Sequence, residues 1–301
     1  MPRPELDEEV RGRLRRRYGA EADVWLAALP AVLDELGERW ELEWGAVIQR
    51  GNMSVVIRCR AAGDRAAVLK ICPDRVRLAG EATALASWST THVPAVLAVD
   101  ESVGALLIEE IEPGTPLDEI PTEPSVERLG ELMRSLHESG APDAGYPPVA
   151  DRIAYLFDSG TKPYELKPEL LELIPLELYE RGRRLALRLA ADPARTVRLH
   201  GDLTPVNVLD GGDDRGLVAI DPGPCLGDPA FEAVDFVLWR VNDGDAIASR
   251  AETLAPAIGA DPARLIDWCA AFAGMIAIER AELPGASRDE VEALVALAAR
   301  A

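Results

Sequence analysis

The chain has 301 residues, 48% hydrophobic and 28% charged, which is enough apolar material to pack one large domain or two ordinary ones. Its 52 acidic and 32 basic residues leave a net charge of −20. That balance argues against a general nucleic-acid binder, which needs a basic surface to displace counterions from phosphates, and against docking to an anionic membrane. An acidic surface serves solubility, and where it lines a cleft it focuses a cationic ligand.

The N-terminus has no apolar signal region, and no apolar stretch reaches the roughly 18 residues of a membrane span, so a cytoplasmic protein is expected. Cys59, Cys72, Cys225 and Cys269 lack C-x-x-C spacing and read as small buried hydrophobes in a reducing compartment. His92, His137 and His200 lack metal-ligand spacing.

In chain order, residues 5–18 carry few apolar positions and read as a solvated helix or a loose arm. A helical pattern begins at Asp23, with Pro30 as a kink or a fresh start. The period then changes. Stretches 40–49, 54–60 and 66–71 read as strands joined by short turns, most economically an antiparallel sheet. A helix over 76–88, a strand over 95–99, a turn at 101–104 and a strand over 105–111 follow.

After Pro113-Gly114 strand signals thin out. Val126, Leu129, Leu132, Met133 and Leu136 share one helical face, so 125–138 is an amphipathic helix. Residues 139–168 read as loop, rich in Pro and Gly. Helical text returns at 169–191, 229–240, 262–282 and 287–300, around a strand-loop-strand block at 196–222. The expectation is an α+β chain with a mixed α/β lobe over 1–112 and a mostly helical lobe over 113–301.

The densest chemistry lies in V-R-L-H-G-D-L-T-P-V-N-V-L at 197–209. Asp202 precedes Asn207 by five positions, and the apolar run 217–220 delivers Asp221. Asn207 and Asp221 are hard oxygen donors of the kind that hold Mg²⁺ on nucleotide phosphates. Asp202 remains to orient an attacking hydroxyl and accept its proton, the arrangement used for phosphoryl transfer. A single Asp is an ordinary turn former; the combination of H-G-D-x-x-x-x-N with I-D after an apolar run points to function. His200 is expected to pack beneath the loop.

Lys70, in A-V-L-K-I, is one of only three lysines beside 29 arginines, and a mid-strand ammonium needs partners. These are nucleotide phosphates and a carboxylate on the next helix, best supplied by Glu81; the other reading is an edge-strand lysine snorkelling to solvent. The loop Q-R-G-N-M-S at 49–54 is either an ordinary hairpin turn or a cover for phosphates, using backbone N–H groups around Gly51 and the Ser54 hydroxyl. No G-x-x-x-x-G-K-[ST] occurs, so this is not a P-loop protein.

Taken together, these parts resemble the aminoglycoside phosphotransferase superfamily, and within it most closely the streptomycin 6-phosphotransferase and hydroxyurea phosphotransferase family. V-W-L-A-A-L-P, R-W-E-L at 39–42, L-L-I-E-E-I-E-P-G-T-P-L at 106–117 and I-D-P-G-P-C-L-G-D-P-A-F-E at 220–232 carry the likeness, which spans about residues 23–240. The resemblance implies a two-lobed protein-kinase-like fold, with an antiparallel-sheet N-lobe and a mostly helical C-lobe. It implies Asp202 as catalytic base, Asn207 and Asp221 on Mg²⁺, and Lys70 on the α- and β-phosphates of ATP, paired with Glu81. It implies adenine against the hinge backbone at Glu109 and Ile111, after a gatekeeper-like Ile108, and a loop anchored by Asp228 or by Glu232 behind it.

Three positions depart from the pattern: Thr204 replaces a second His, Gly223 a charged residue, and Glu232 an Asp. The first two lie near the reacting centre and leave the acceptor open. The acceptor is expected between the catalytic loop and the helices at about 150–190 and 260–282. For a polycation, Asp235, Asp267, Glu279 and Glu282 are available, though each reads more readily as a solvated helix charge; Trp268 could stack on a sugar ring but reads more readily as a core residue. The expected function is ATP-dependent phosphorylation of a streptomycin-like, cationic small-molecule acceptor, with no nucleic-acid or membrane partner. The alternatives are the same chemistry on hydroxyurea or another small hydroxylated metabolite, or a nucleotide-binding pseudokinase or interaction module.

Overall fold

Asp7 opens the first helix, α1 (Glu8–Tyr18), by accepting the Val10 N–H, with acids in the first turn and arginines in the last to complement the helix dipole. This is a computed structural model, and it describes residues 3–51, 53–139, 145–162, 164, 167–283 and 287–301; Asn52 of the hairpin loop lies outside them. Its chain divides into two units, 1–114 and 115–301.

In the first unit α1 is docked, not a loose arm: Val10 and Leu14 are fully buried, and with Leu6 they join the core. Two apolar side chains per three turns suffice because both fall on one face. Pro30 does not begin a new helix either. It lies inside α2 (Glu21–Arg39), whose stripe Leu26, Leu29, Leu33 and Leu36 continues through it. Packing of that stripe outweighs the one ladder hydrogen bond that proline cannot donate.

These helices bury their stripes against Val55, Ile57, Leu69 and Ile71 of an antiparallel sheet. Its strands are β1 (Glu43–Ile48), β2 (Val55–Ala61), β3 (Arg65–Ile71), β4 (Val96–Asp100) and β5 (Ala105–Glu109), in the order β1-β2-β3-β5-β4. β2 and β3 form a tight hairpin with Ala61 opposite Arg65. After β3, Asp74 caps α3 (Arg75–Ser87) by accepting the Arg77 N–H. That capped turn brings α3 back to β3.

The second unit begins with β6 (Thr115–Pro116) and α4 (Val126–Ser139), where Leu129, Leu132, Met133 and Leu136 are buried as their spacing predicts. The stretch read as loop contains a helix, α5 (Val149–Gly160). Pro148 sits at its N-cap, where a missing N–H is harmless, and Val149, Ile153 and Phe157 recur every fourth residue on its buried face. Pro175 separates a single turn, Leu170–Leu173, from α6 (Leu176–Ala191), so the expected helix over 169–191 is divided.

Further along the chain the sequence reading again differs. Beyond α7 (Pro229–Val237) the chain adds α8 (Gly244–Ala257), which its alanine-rich text did not signal, before α9 (Pro262–Glu282) and α10 (Arg288–Ala298). Trp268 of α9 is fully buried, stacked on Phe272 and edge-on to Phe231, and its indole N–H donates to Asp228. It is a core residue. The four cysteines are buried and free. Among the described residues no helix is long and apolar enough to cross a membrane.

Candidate active site

The block 196–222 holds three short strands, and a fourth follows it. β7 (Val197–Leu199) pairs with β10 (Cys225–Gly227), and β8 (Val208–Asp210) pairs with β9 (Leu217–Ala219) and with β6. Val208 lies opposite Ala219, so the residues just beyond that pair, Asn207 and Ile220, are neighbours; the Ile220 N–H donates to the Asn207 carbonyl at 2.9 Å. Asp221 follows at once, in the left-handed region with φ 60°, which is uncommon for a side-chain-bearing residue and recurs at functional sites.

Asp202 sits on the loop between β7 and β8. The Asn207 amide donates to its backbone carbonyl at 2.9 Å and to Oδ2 at 3.2 Å, tying carboxylate and amide together across their five-residue spacing. The Gly223 N–H donates to the His200 carbonyl at 2.9 Å, closing the loop against the segment that carries Asp221. His200 is fully buried, and burial lowers its pKa despite the charges of Glu232, Asp202 and Asp221, so the ring is neutral beneath the loop.

Of the two anchor candidates, Glu232 holds the loop. Its Oε1 accepts the Gly201 N–H at 2.8 Å, and its Oε2 lies 2.8 Å from Nε2 of the buried His137 on α4. Asp228 instead caps α7 through the Ala230 N–H and pairs with Arg264.

The residue that sequence reading missed is Arg152 on α5. Its Nη2 donates to Asp202 Oδ1 at 2.5 Å across fifty residues of chain. The recurrence of Val149, Ile153 and Phe157 was the available signal for its helix.

Arg152 and Asp202 open on a cavity of about 190 Å³ within the second unit, lined also by Thr204, Asp235, Glu279 and apolar residues of α9. Two of the four proposed acceptor carboxylates therefore meet the cavity. Asp267 is exposed and Glu282 pairs with Lys167 at 2.8 Å; neither lines it. Which side of a helix faces a cavity depends on packing, and these two carboxylates point elsewhere. Burial pushes the Asp235 carboxyl up to about 7, helped by Glu279 and Asp202 and opposed by Arg280 and Arg152. Glu279, whose tip is more open to solvent, is raised in the same direction by desolvation.

This has a consequence for stability. Unfolding returns Asp235 to an ordinary carboxyl near 3.8, so between about pH 4 and pH 7 the folded chain holds a proton that the unfolded chain has released. Its contribution falls as pH rises through that window and levels off above 7. Asp235→Asn is expected to flatten this fall and to be more stable than the parent at pH 8, read as urea midpoints at pH 5 and 8. Parallel midpoints for the two proteins would refute the assignment.

In the first unit, Lys70 and Glu81 form a buried ion pair, with Lys70 3% and Glu81 2% exposed. β3 is an interior strand, flanked by β2 and β5, which disposes of the snorkelling edge-strand reading. Gly51 has φ 102°, a turn conformation that glycine adopts freely. Ser54 is turned inward: it is 5% exposed, so its hydroxyl is not offered on the loop's open side. β5 ends at Glu109, earlier than the expected 111; the Glu109 N–H donates to the Ala95 carbonyl at 2.9 Å, Ile108 and Ile111 are buried, and the chain leaves the sheet there.

The model of the aminoglycoside/hydroxyurea antibiotic resistance kinase family matches residues 39–283. The chain belongs to that family. A hydroxyurea phosphotransferase of Kitasatospora aureofaciens is 30% identical, over 84% of this chain and 73% of its own length. A streptomycin 6-kinase of Streptomyces glaucescens is 26% identical, over 88% and 87%. Among solved structures, a thermostable mutant of the aminoglycoside phosphotransferase APH(4)-Ia, in a ternary complex with AMP-PNP and hygromycin B, matches with a TM-score of 0.55 at 16% identity, covering 90% of this chain and 97% of that one. The fold of this family member is accordingly the two-lobed protein-kinase-like one, and the chain is a small-molecule phosphotransferase.

Proposed function

We propose that the chain transfers the γ-phosphate of ATP to a hydroxyl of a cationic, aminoglycoside-type acceptor of the streptomycin kind, giving resistance to it in the cytoplasm. The observation that carries this reading is the Asp202 carboxylate, held by Asn207 and opening on a cavity walled by Asp235 and Glu279. Asp202 takes the acceptor's proton as general base. Acidic walls favour a cationic acceptor, and Asp235 favours it more as pH rises through about 7.

Asn207 and Asp221 fit Mg²⁺ by chemistry: an amide oxygen and a carboxylate are hard donors, and Asn207 is bonded to the residue before Asp221. Mg²⁺, when bound there, neutralises and orients the phosphates. In the first unit, Lys70 holds the α- and β-phosphates while Glu81 fixes its direction; Gly51 offers backbone N–H groups, and the backbone at Glu109 and Ile111 receives adenine. The second, mostly helical unit supplies the catalytic loop and the acceptor site.

A second reading has the same chemistry on hydroxyurea or another small hydroxylated compound. It is favoured by the cavity itself, which at about 190 Å³ is below the ~300–1,000 Å³ of sites for drug-sized ligands and carries the Arg152 cation. A coupled ADP-release assay with Mg-ATP separates the readings, run with streptomycin, other aminoglycosides, hydroxyurea and no acceptor. Stimulation by streptomycin is expected. Stimulation by hydroxyurea alone would transfer the conclusion to the second reading, and ATP binding without stimulation by any compound would leave a nucleotide-binding module in place of an enzyme for these acceptors.

A further inference from the structure

Arg152 has an arrangement that a structural ion pair does not require. Its side chain is 21% exposed and that of Asp202 40%, and pairs this open to water contribute about 0–1 kcal/mol. Yet the Arg152 Nε–H is buried and meets no acceptor among the described residues, an omission that costs about 1–3 kcal/mol. As glue, the residue is a poor bargain. As a donor waiting for an anion, it is consistent.

Its position is also well fixed. Val149, Ile153 and Phe157 lock the adjoining face of α5 into the core, and the guanidinium lies 5.6 Å from the centre of the Tyr155 ring. Gly223 keeps the far side open: a Cβ there would stand 3.9 Å from Arg152 Nη1, and a longer side chain would compete for the same space. Every other charged residue lining the cavity, among those described, is acidic.

We infer that Arg152 is a second catalytic residue of the proposed reaction, holding Asp202 through Nη2 and donating its remaining N–H groups to the oxygens of the phosphoryl group during transfer. The inference rests on Asp202 being the base. An acceptor hydroxyl that gives its proton to Asp202 must lie about 2.6–3.2 Å from that carboxylate. Its oxygen lone pair forms the new O–P bond, the bond from phosphorus to the β–γ bridging oxygen breaks, and that electron pair leaves on ADP. The phosphorus is bonded to the same oxygen that faces Asp202, so its equatorial oxygens pass within a few ångströms of Oδ1 and of the guanidinium already there. A negative carboxylate and a negative phosphoryl group at that separation repel, and a planar cation with parallel donors relieves both.

The test uses the full chain, with Arg152→Ala and Arg152→Lys. With an acceptor that the parent phosphorylates, Arg152→Ala is expected to lose about 10³-fold in kcat, the lower end of the range for arginines that serve phosphoryl transfer, with KM for ATP little changed. Millimolar guanidinium chloride should restore part of that loss, and Arg152→Lys, which keeps charge but not the fork, should lie between. A readout independent of any acceptor is calorimetric binding of Mg-ADP with and without aluminium fluoride, a phosphoryl mimic. The parent should gain affinity with fluoride and Arg152→Ala should lose that gain while binding Mg-ADP alone as before. A variant that keeps the fluoride gain, or loses affinity equally without fluoride, or turns over at parental kcat, overturns the inference. If the parent phosphorylates none of the acceptors, the proposed function fails, and the fluoride comparison still decides the role of Arg152.

Discussion

Asp202→Asn is expected to lower kcat by about 10³-fold, a loss of ~4 kcal/mol in transition-state stabilisation, within the range for removal of a general base. The amide is nearly isosteric with the carboxylate, so the loop should keep its shape: the Asn207 contact to the Asp202 backbone carbonyl persists, as does the Gly223 bond to His200. What disappears is the proton acceptor. KM for ATP should therefore change little, and the thermal midpoint should stay close to the parent's, because the ion pair to Arg152 is partly solvated. Steady-state kinetics beside a melting curve checks both halves. Parental turnover in a folded Asp202→Asn would remove Asp202 as the base, and with it the role given to Arg152.

Gly201→Ala should have the largest effect on folding. Gly201 has φ 78°, in the left-handed region, where an alanine costs about 1–2 kcal/mol. Its added Cβ would also stand 2.0 Å from the Gly223 carbonyl oxygen and 2.9 Å from its carbon. Neither partner can step aside. The Gly223 N–H is bonded to His200, and the Gly201 N–H is bonded to the buried Glu232, which in turn meets His137. The expected loss is about 3–5 kcal/mol, at the severe end for one substitution. For a unit of this size that corresponds to a fall of roughly 10 °C in Tm. Differential scanning calorimetry measures it, and a Tm within about 2 °C of the parent's would mean that the loop has a second packing solution.

The glycine of the H-G-D motif thus acts through close packing, and the aspartate through chemistry. One substitution should spare Tm and remove turnover. The other should lower Tm, with turnover lost because the loop is displaced. Comparing the two separates the integrity of the loop from the reaction it carries.

The amino-acid sequence by itself determined the parts whose partners are near in the chain. Lys70 and Glu81 are eleven residues apart, joined by a capped strand-to-helix turn, and they pair as their types demand. Asp202, Asn207 and Asp221 lie within one block of short paired strands, so motif spacing alone placed Asn207 beside the residue that precedes Asp221. The apolar face of α4 and the burial of the cysteines followed from periodicity and residue type.

Tertiary structure decided what depends on distant faces. Arg152 reaches Asp202 across fifty residues, and His137 reaches Glu232 across ninety-five. Periodicity tells which face of a helix is apolar but not which polar residue at its margin turns toward a cavity, because that is set by the rotation at which neighbouring helices interlock. Asp235 and Glu279 therefore line the cavity while Asp267 and Glu282 do not, although all four are acids on the helices of one unit. The same limit applies to α1, whose two buried side chains had value only once a partner face existed to receive them.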